Sequence, residues 1–188
     1  MIEVLIDLSC LKKLKKELAL AGSREIGGVL AAENLGNGQF RVVDISVQRT
    51  GGSYAHFVRD PKLHRRFMRR FFARTGNRPE RFNYLGEWHS HPSFRPLPRF
   101  PDLNQMQQLI EERDQVANFL ILLIVKLGNV GTIEASTHAF RPKHMPLPVP
   151  VLPTTPSKLE DRGMQTRKIF SRLISSHPAS PDFIQIRE

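Results

Sequence analysis

"GEWHSHPSFRPLPRFPD", residues 86–102, is the stretch on which both the fold and the chemistry turn. With Tyr84 and Leu85 ahead of it, its first half reads as a strand, and on a strand side chains at i and i+2 share a face. His89 and His91 therefore present two imidazoles side by side, as neighbouring ligands of one metal ion must. Pro92 ends the strand, and Pro96, Pro98 and Pro101 stiffen the return. Asp102 then falls in the first turn of a helix predicted over 102–113, in which Leu103, Met106, Leu109 and Ile110 repeat at helical spacing. A carboxylate is electrostatically favoured at that point. Two histidines and one acid leave a tetrahedral zinc ion one open position for water, the arrangement of a catalytic rather than a structural site. The same donor set is also the facial triad of non-haem iron oxygenases, so the ligands alone leave the metal open.

Amide hydrolysis further needs a group to take and return protons. Glu25, just ahead of Gly27 and Gly28 on an earlier strand, is the candidate. Trp88 and Ser90 alternate away from the ligands, and Trp88 reads as a core residue. Glu87 shares the parity of the histidines and is placed to support one of them. His56, His64, His138 and His144 have no ligand spacing and read as ordinary. Cys10 reads as a small buried side chain.

Outward from this centre the chain reads as an α+β domain. Residues 2–6 suit a strand, and leucines recur at helical spacing over 8–20, with Asp7 or Ser9 as the cap. Residues 25–33 and 39–47 form a strand pair turned at "GNG", 36–38. Gly51 and Gly52 mark a turn before a short strand at 53–58. Pro61 opens a basic helix running toward Arg81, with Phe67, Met68, Phe71 and Phe72 at helical spacing. Residues 117–127 and 130–140 make a further strand pair joined at Gly128 and Asn129. From Pro142 onward prolines 142, 146, 148, 150, 153 and 156 predict an extended linker, followed by a helix over 157–176 with Ile169, Phe170, Leu173 and Ile174 on one side. The expected division is a domain over 1–141 and a proline-rich tail over 142–188.

The 188 residues are 40% hydrophobic and 24% charged, which places the chain among globular domains. The single cysteine excludes an internal disulfide framework and a cysteine-based zinc ribbon. Lysines interrupt the apolar N-terminal stretch, so no signal peptide is expected, and the apolar run 119–125 is too short to cross a bilayer. These features predict a cytoplasmic protein with no membrane partner. The net charge of +10 suggests an acidic partner. No helix-turn-helix, finger or RNP-like pattern accompanies it, so the basic run reads as the solvated face of an amphipathic helix rather than a nucleic-acid site.

"EIGGVL" at 25–30, "GEWHSHP" at 86–92 and Asp102 together resemble the JAB/MPN metalloproteases that carry the JAMM motif. The resemblance covers about residues 1–140, and "GEWHSHP" is most similar to the compact prokaryotic JAB proteins, some encoded in antiphage operons. It implies a mixed, largely antiparallel sheet flanked by helices, and a zinc isopeptidase acting at the C-terminus of a ubiquitin-like protein. It further implies E1-like and E2-like partners, Zn2+ on His89, His91 and Asp102, and Glu25 as general acid/base. One position departs. Where the family's motif has a serine that helps hold the tetrahedral intermediate, three residues before the aspartate, this chain has Arg99. A guanidinium there either stabilises an oxyanion by its charge or turns to solvent and leaves the task to Ser93 or the backbone. An inactive module that only binds the modifier, and a nucleic-acid-associated protein defined by its charge, are the rival readings.

Overall fold

The computed structural model describes residues 2–50, 60–112, 117–154 and 184–186. The turn at Gly51 and Gly52, the strand expected over 53–58 and the helix expected over 157–176 lie outside the described residues.

Strand β1 (Glu3–Asp7) runs directly into α1 (Leu8–Ala21), which buries Cys10, Leu11, Leu14 and Leu18 on one face. Asp7 stands at the N-cap but makes no side-chain capping bond, and the helix stops at Gly22, where φ is 60°. Strands β2 (Gly27–Gly36) and β3 (Gln39–Ile45) form the expected hairpin. Asn37 and Gly38 both have positive φ, 52° and 80°, as the tight turn favoured between twisted strands requires. Helix α2 (Pro61–Arg74) is capped by the Asp60 carboxylate, which accepts from Lys62 N at 2.8 Å. Then follow β4 (Phe82–Ser90), α3 (Phe100–Glu111) and β5 (Leu120–Leu127). A short 3-10 turn (Asn129–Gly131) leads to β6 (Ile133–Phe140), β7 (Leu147–Pro148), β8 (Val151–Thr154) and β9 (Ile184–Ile186).

One sheet holds all of these strands in the order β7-β6-β5-β4-β2-β3-β1-β8, with β9 also on β6. The pairs β1/β3, β1/β8 and β4/β5 are parallel, and the rest are antiparallel. Strand β5 is central and apolar at every buried position because both faces are covered. Ile121, Leu123 and Val125 pack with α1 and Trp88, whereas Leu120, Leu122 and Ile124 pack with Met106, Leu109 and Ile110 of α3. That division sets the parity of β4. Trp88 enters the α1 core, and His89 faces the α3 side. At Gly86, φ is 151° and a Cβ would lie 1.9 Å from Ile121 O, so only glycine lets β4 approach β5 here.

Three expectations are corrected. Helix α2 ends at Arg74, well short of Arg81, because the Thr75 hydroxyl bonds back to Phe71 O and positive φ follows at Gly76 and Asn77. The β5–β6 connection is longer than Gly128 and Asn129, since Thr132 N bonds to Asn129 O and pairing resumes only at Ile133. The largest correction concerns the segment after 141. It is not simply a linker: β8 pairs with β1, β7 and β9 pair with β6, and Val151 and Ile186 belong to the core cluster. Its prolines are tolerated because Pro148 and Pro153 lie on edge strands, where a missing N–H leaves no ladder bond unmade.

Candidate metal centre

The site forms where the C-terminal end of β4 meets the N-terminus of α3. His91 lies just past β4, its N–H donating to Val125 O at 2.9 Å, so it continues the strand's parity and shares a face with His89. Asp102 occupies the first turn of α3 and reaches back to accept from Arg99 N at 2.7 Å. The three residues converge, with one potential ligand atom from each lying within 4.8 Å of the others. His89 Nε2 is 3.3 Å from Asp102 Oδ1, and His91 Nε2 is 3.5 Å from Asp102 Oδ2.

These separations fit a metal. Ligands about 2.0–2.1 Å from a tetrahedral zinc ion stand roughly 3.3 Å apart. The His91 ring is also prepared for it. Nδ1 donates to Arg95 O at 3.2 Å, which fixes the tautomer and leaves Nε2, on the Asp102 side of the ring, as the nitrogen that accepts. Burial alone would raise the Asp102 carboxyl. The His89 imidazole and the Arg99 N–H outweigh that and hold it well below the usual carboxylate range. It is therefore anionic, as a hard oxygen ligand should be.

Glu25 lies two residues before β2 rather than on it, and is 1% exposed. Its position is set from the far side of β4. Ser90 Oγ accepts from Ile26 N at 3.0 Å, and Ser90 N donates to Ile26 O at 2.8 Å. Ser90 thus pins the residue after Glu25 to the strand that carries the histidines. Its alternation away from the ligands was legible in the sequence, but its purpose was not.

Arg99 does not turn to solvent. Nη2 donates to Glu25 Oε1 at 2.7 Å and stands 3.2 Å from His91 Nε2, while Nε is 3.6 Å from Asp102 Oδ2. The guanidinium also lies over the Phe94 ring, 5.0 Å from its centre. Glu25 Oε2 has no hydrogen-bond partner among the described residues. Ser93, the other residue considered for the missing hydroxyl, is exposed.

The remaining candidates take structural places. Glu87 is buried and accepts from Gln105 Nε2 at 3.4 Å, tying β4 to α3. Trp88 Nε1 donates to Ser46 O at 2.9 Å. His64 is a buried structural residue: it is 1% exposed, with Nδ1 2.7 Å from Ser46 Oγ and Nε2 3.1 Å from Gln48 Oε1, and it anchors α2. Burial pushes the Cys10 thiol up to about 12, with Asp44 and Asp7 adding to the effect, which rules it out as a ready nucleophile. Burial lowers the His138 pKa. Lys62, Arg65, Arg66, Arg69 and Arg70 form the exposed side of α2, while His64 and Phe71 are buried. No helix among the described residues is long and apolar enough to cross a membrane.

Comparison with known proteins agrees with this architecture. No match was found among curated proteins. A solution structure of protein DSY2949 from Desulfitobacterium hafniense is similar with a TM-score of 0.62 at 16% identity, covering 81% of this chain and 93% of that one. A JAB1/MPN domain protein from Archaeoglobus fulgidus, AF2198, matches with a TM-score of 0.41 at 14% identity, covering 79% of this chain and 97% of that one. The family model of prokaryotic homologues of the JAB domain matches residues 8–140, from α1 through β6, and the chain belongs to that family.

Proposed function

We propose that this chain is a zinc-dependent peptidase or isopeptidase that cleaves after the C-terminus of a ubiquitin-like protein. The observation that carries the reading is the convergence of His89, His91 and Asp102 beside a buried acid, Glu25. Zinc held there would polarise the scissile carbonyl and make a bound water acidic enough to attack at neutral pH. Glu25 takes a proton at Oε2, the oxygen not engaged by Arg99, and returns it to the leaving amine. Asp102 stays anionic and, through its bond from Arg99 N, keeps the start of α3 against the histidines. The family includes metalloproteases, and the residue types match their chemistry position by position except at Arg99. A ubiquitin-like substrate, together with E1-like and E2-like proteins acting on the same modifier, is the partner set this reading implies.

A second reading has its own support. The guanidinium of Arg99 engages both Glu25 and His91, which favours a module that binds the modifier with little turnover. The two separate on one assay. A ubiquitin-like protein with a C-terminal peptide extension is incubated with zinc-loaded parent and with Glu25→Ala, and binding is measured alongside cleavage. The hydrolase reading expects cleavage by the parent at least about a hundredfold faster than by the variant, with binding unchanged. Equal rates with retained binding would leave the binding module as the function.

A further inference from the structure

We propose that Arg99 is an internal cation that competes with the metal for His91, so that the side chain of Arg99 controls the loading of the site. The proposal rests on the metal reading above and adds a residue that opposes it. Because Nδ1–H of His91 is given to Arg95 O, Nε2 carries a single lone pair. That lone pair accepts from Arg99 Nη2 at 3.2 Å. A metal–imidazole bond of about 2.0–2.1 Å uses the same lone pair and brings a dication to the same side of the ring. The two partners exclude each other, by orbital and by charge.

The other contacts of Arg99 act in the same direction. One positive charge is shared among Glu25 Oε1 at 2.7 Å, His91 Nε2 at 3.2 Å and Asp102 Oδ2 at 3.6 Å. These are two of the three candidate ligands and the proton carrier. Displacing the guanidinium therefore exposes a ligand atom and frees Glu25 Oε1 in one movement. Nothing in the backbone opposes it. Arg99 N is held by Asp102 Oδ2 and Arg99 O by Leu103 N, so the side chain leaves without disturbing the start of α3. The exit is open as well, since the Arg99 side chain is 30% exposed and Phe94, over which it lies, is 39% exposed.

The test measures zinc itself. The full chain is stripped with a chelator, and zinc affinity is measured by competition with a chromophoric chelator for the parent, Arg99→Ala and Arg99→Met, the last keeping an apolar stem against Phe94. Cobalt(II) absorption reports the coordination in each, and His91→Ala serves as the blank. Both variants are expected to bind zinc about ten- to a hundredfold tighter than the parent, the range of one charge-assisted hydrogen bond. Equal or weaker binding in both, with His91→Ala still abolishing it, overturns the competition and leaves the metal reading standing. Absence of zinc binding in the parent and both variants overturns the two together. Should neither variant fold, the parent decides alone: its Arg99 guanidinium NMR signals shift on zinc addition if the side chain leaves, and unchanged signals overturn the proposal.

Discussion

Ser90 stands between the two histidines in sequence and on the opposite face of the sheet from them in space. Its hydroxyl is the acceptor for the Ile26 N–H, and that bond sets where Glu25 lies relative to His89 and His91. In Ser90→Ala the buried N–H loses this acceptor, a cost of about 1–3 kcal/mol that a urea midpoint will read. On the proposed zinc-hydrolase reading, zinc content is expected to be unchanged, because neither histidine moves, while turnover falls at least about tenfold as Glu25 loses its placement. Full turnover in that variant would show that Ser90 serves stability alone. The convergence of His89, His91 and Asp102 was legible in the sequence, because strand alternation and a helix start are short-range properties that place the three on known faces. The inward turn of Arg99 was not. It depends on a carboxylate 74 positions away in the chain, and no local pattern records which long side chain fills a gap between elements.

The elements are joined at their ends by charged groups, and Glu33 on β2 is among the most buried of these. It is 2% exposed and accepts from Arg41 on β3 and from Arg81 just ahead of β4, the latter at 2.6 and 2.8 Å. Burial alone would raise its carboxyl, but the bonds from Arg81 and Arg41 outweigh that and hold it below its ordinary value. A folded pKa below the unfolded one, about 4.3 for glutamate, contributes stability above that pH and loses it as the pH falls toward the lower folded value. Glu17 and Asp44 are lowered as well and carry the same sign. Thermal unfolding followed from pH 7 into acid should show the parent losing stability below about pH 4–5, with a shallower loss in Glu33→Gln. At pH 7 the same variant is expected to be less stable by about 1–3 kcal/mol, because the half-buried Arg41 then faces a neutral amide and keeps only the longer ion pair to Asp7 at 3.7 Å. Elements with strong periodicity, such as β5 and the β2–β3 hairpin, were readable directly. Strands β7 and β8 were not, because proline reads as a breaker except where a strand has a free edge, and edges are a property of the assembled sheet.

For the molecule as a whole, the segment after 141 decides whether the sheet is complete. A chain ending at Phe140 lacks β7, β8 and β9 and uncovers the core around Val151 and Ile186. Losing two buried aliphatic side chains and an edge strand is expected to cost several kcal/mol, about 2–5 for the side chains alone, and the shortened chain should unfold at clearly lower urea or precipitate. An unchanged midpoint would mean that β8 and β9 add nothing to the core. The β1/β8 pair carries a further consequence, for the order in which the protein comes into being. Val4 is synthesised long before its parallel neighbour Val151, which is made only after both histidines and Asp102. The first strand therefore waits, with one edge open, through the synthesis of nearly the whole sheet. Such distant pairing closes late and slowly. Nascent chains stalled before Val151 should accordingly leave β1 accessible to protease, and chains released past Thr154 should protect it.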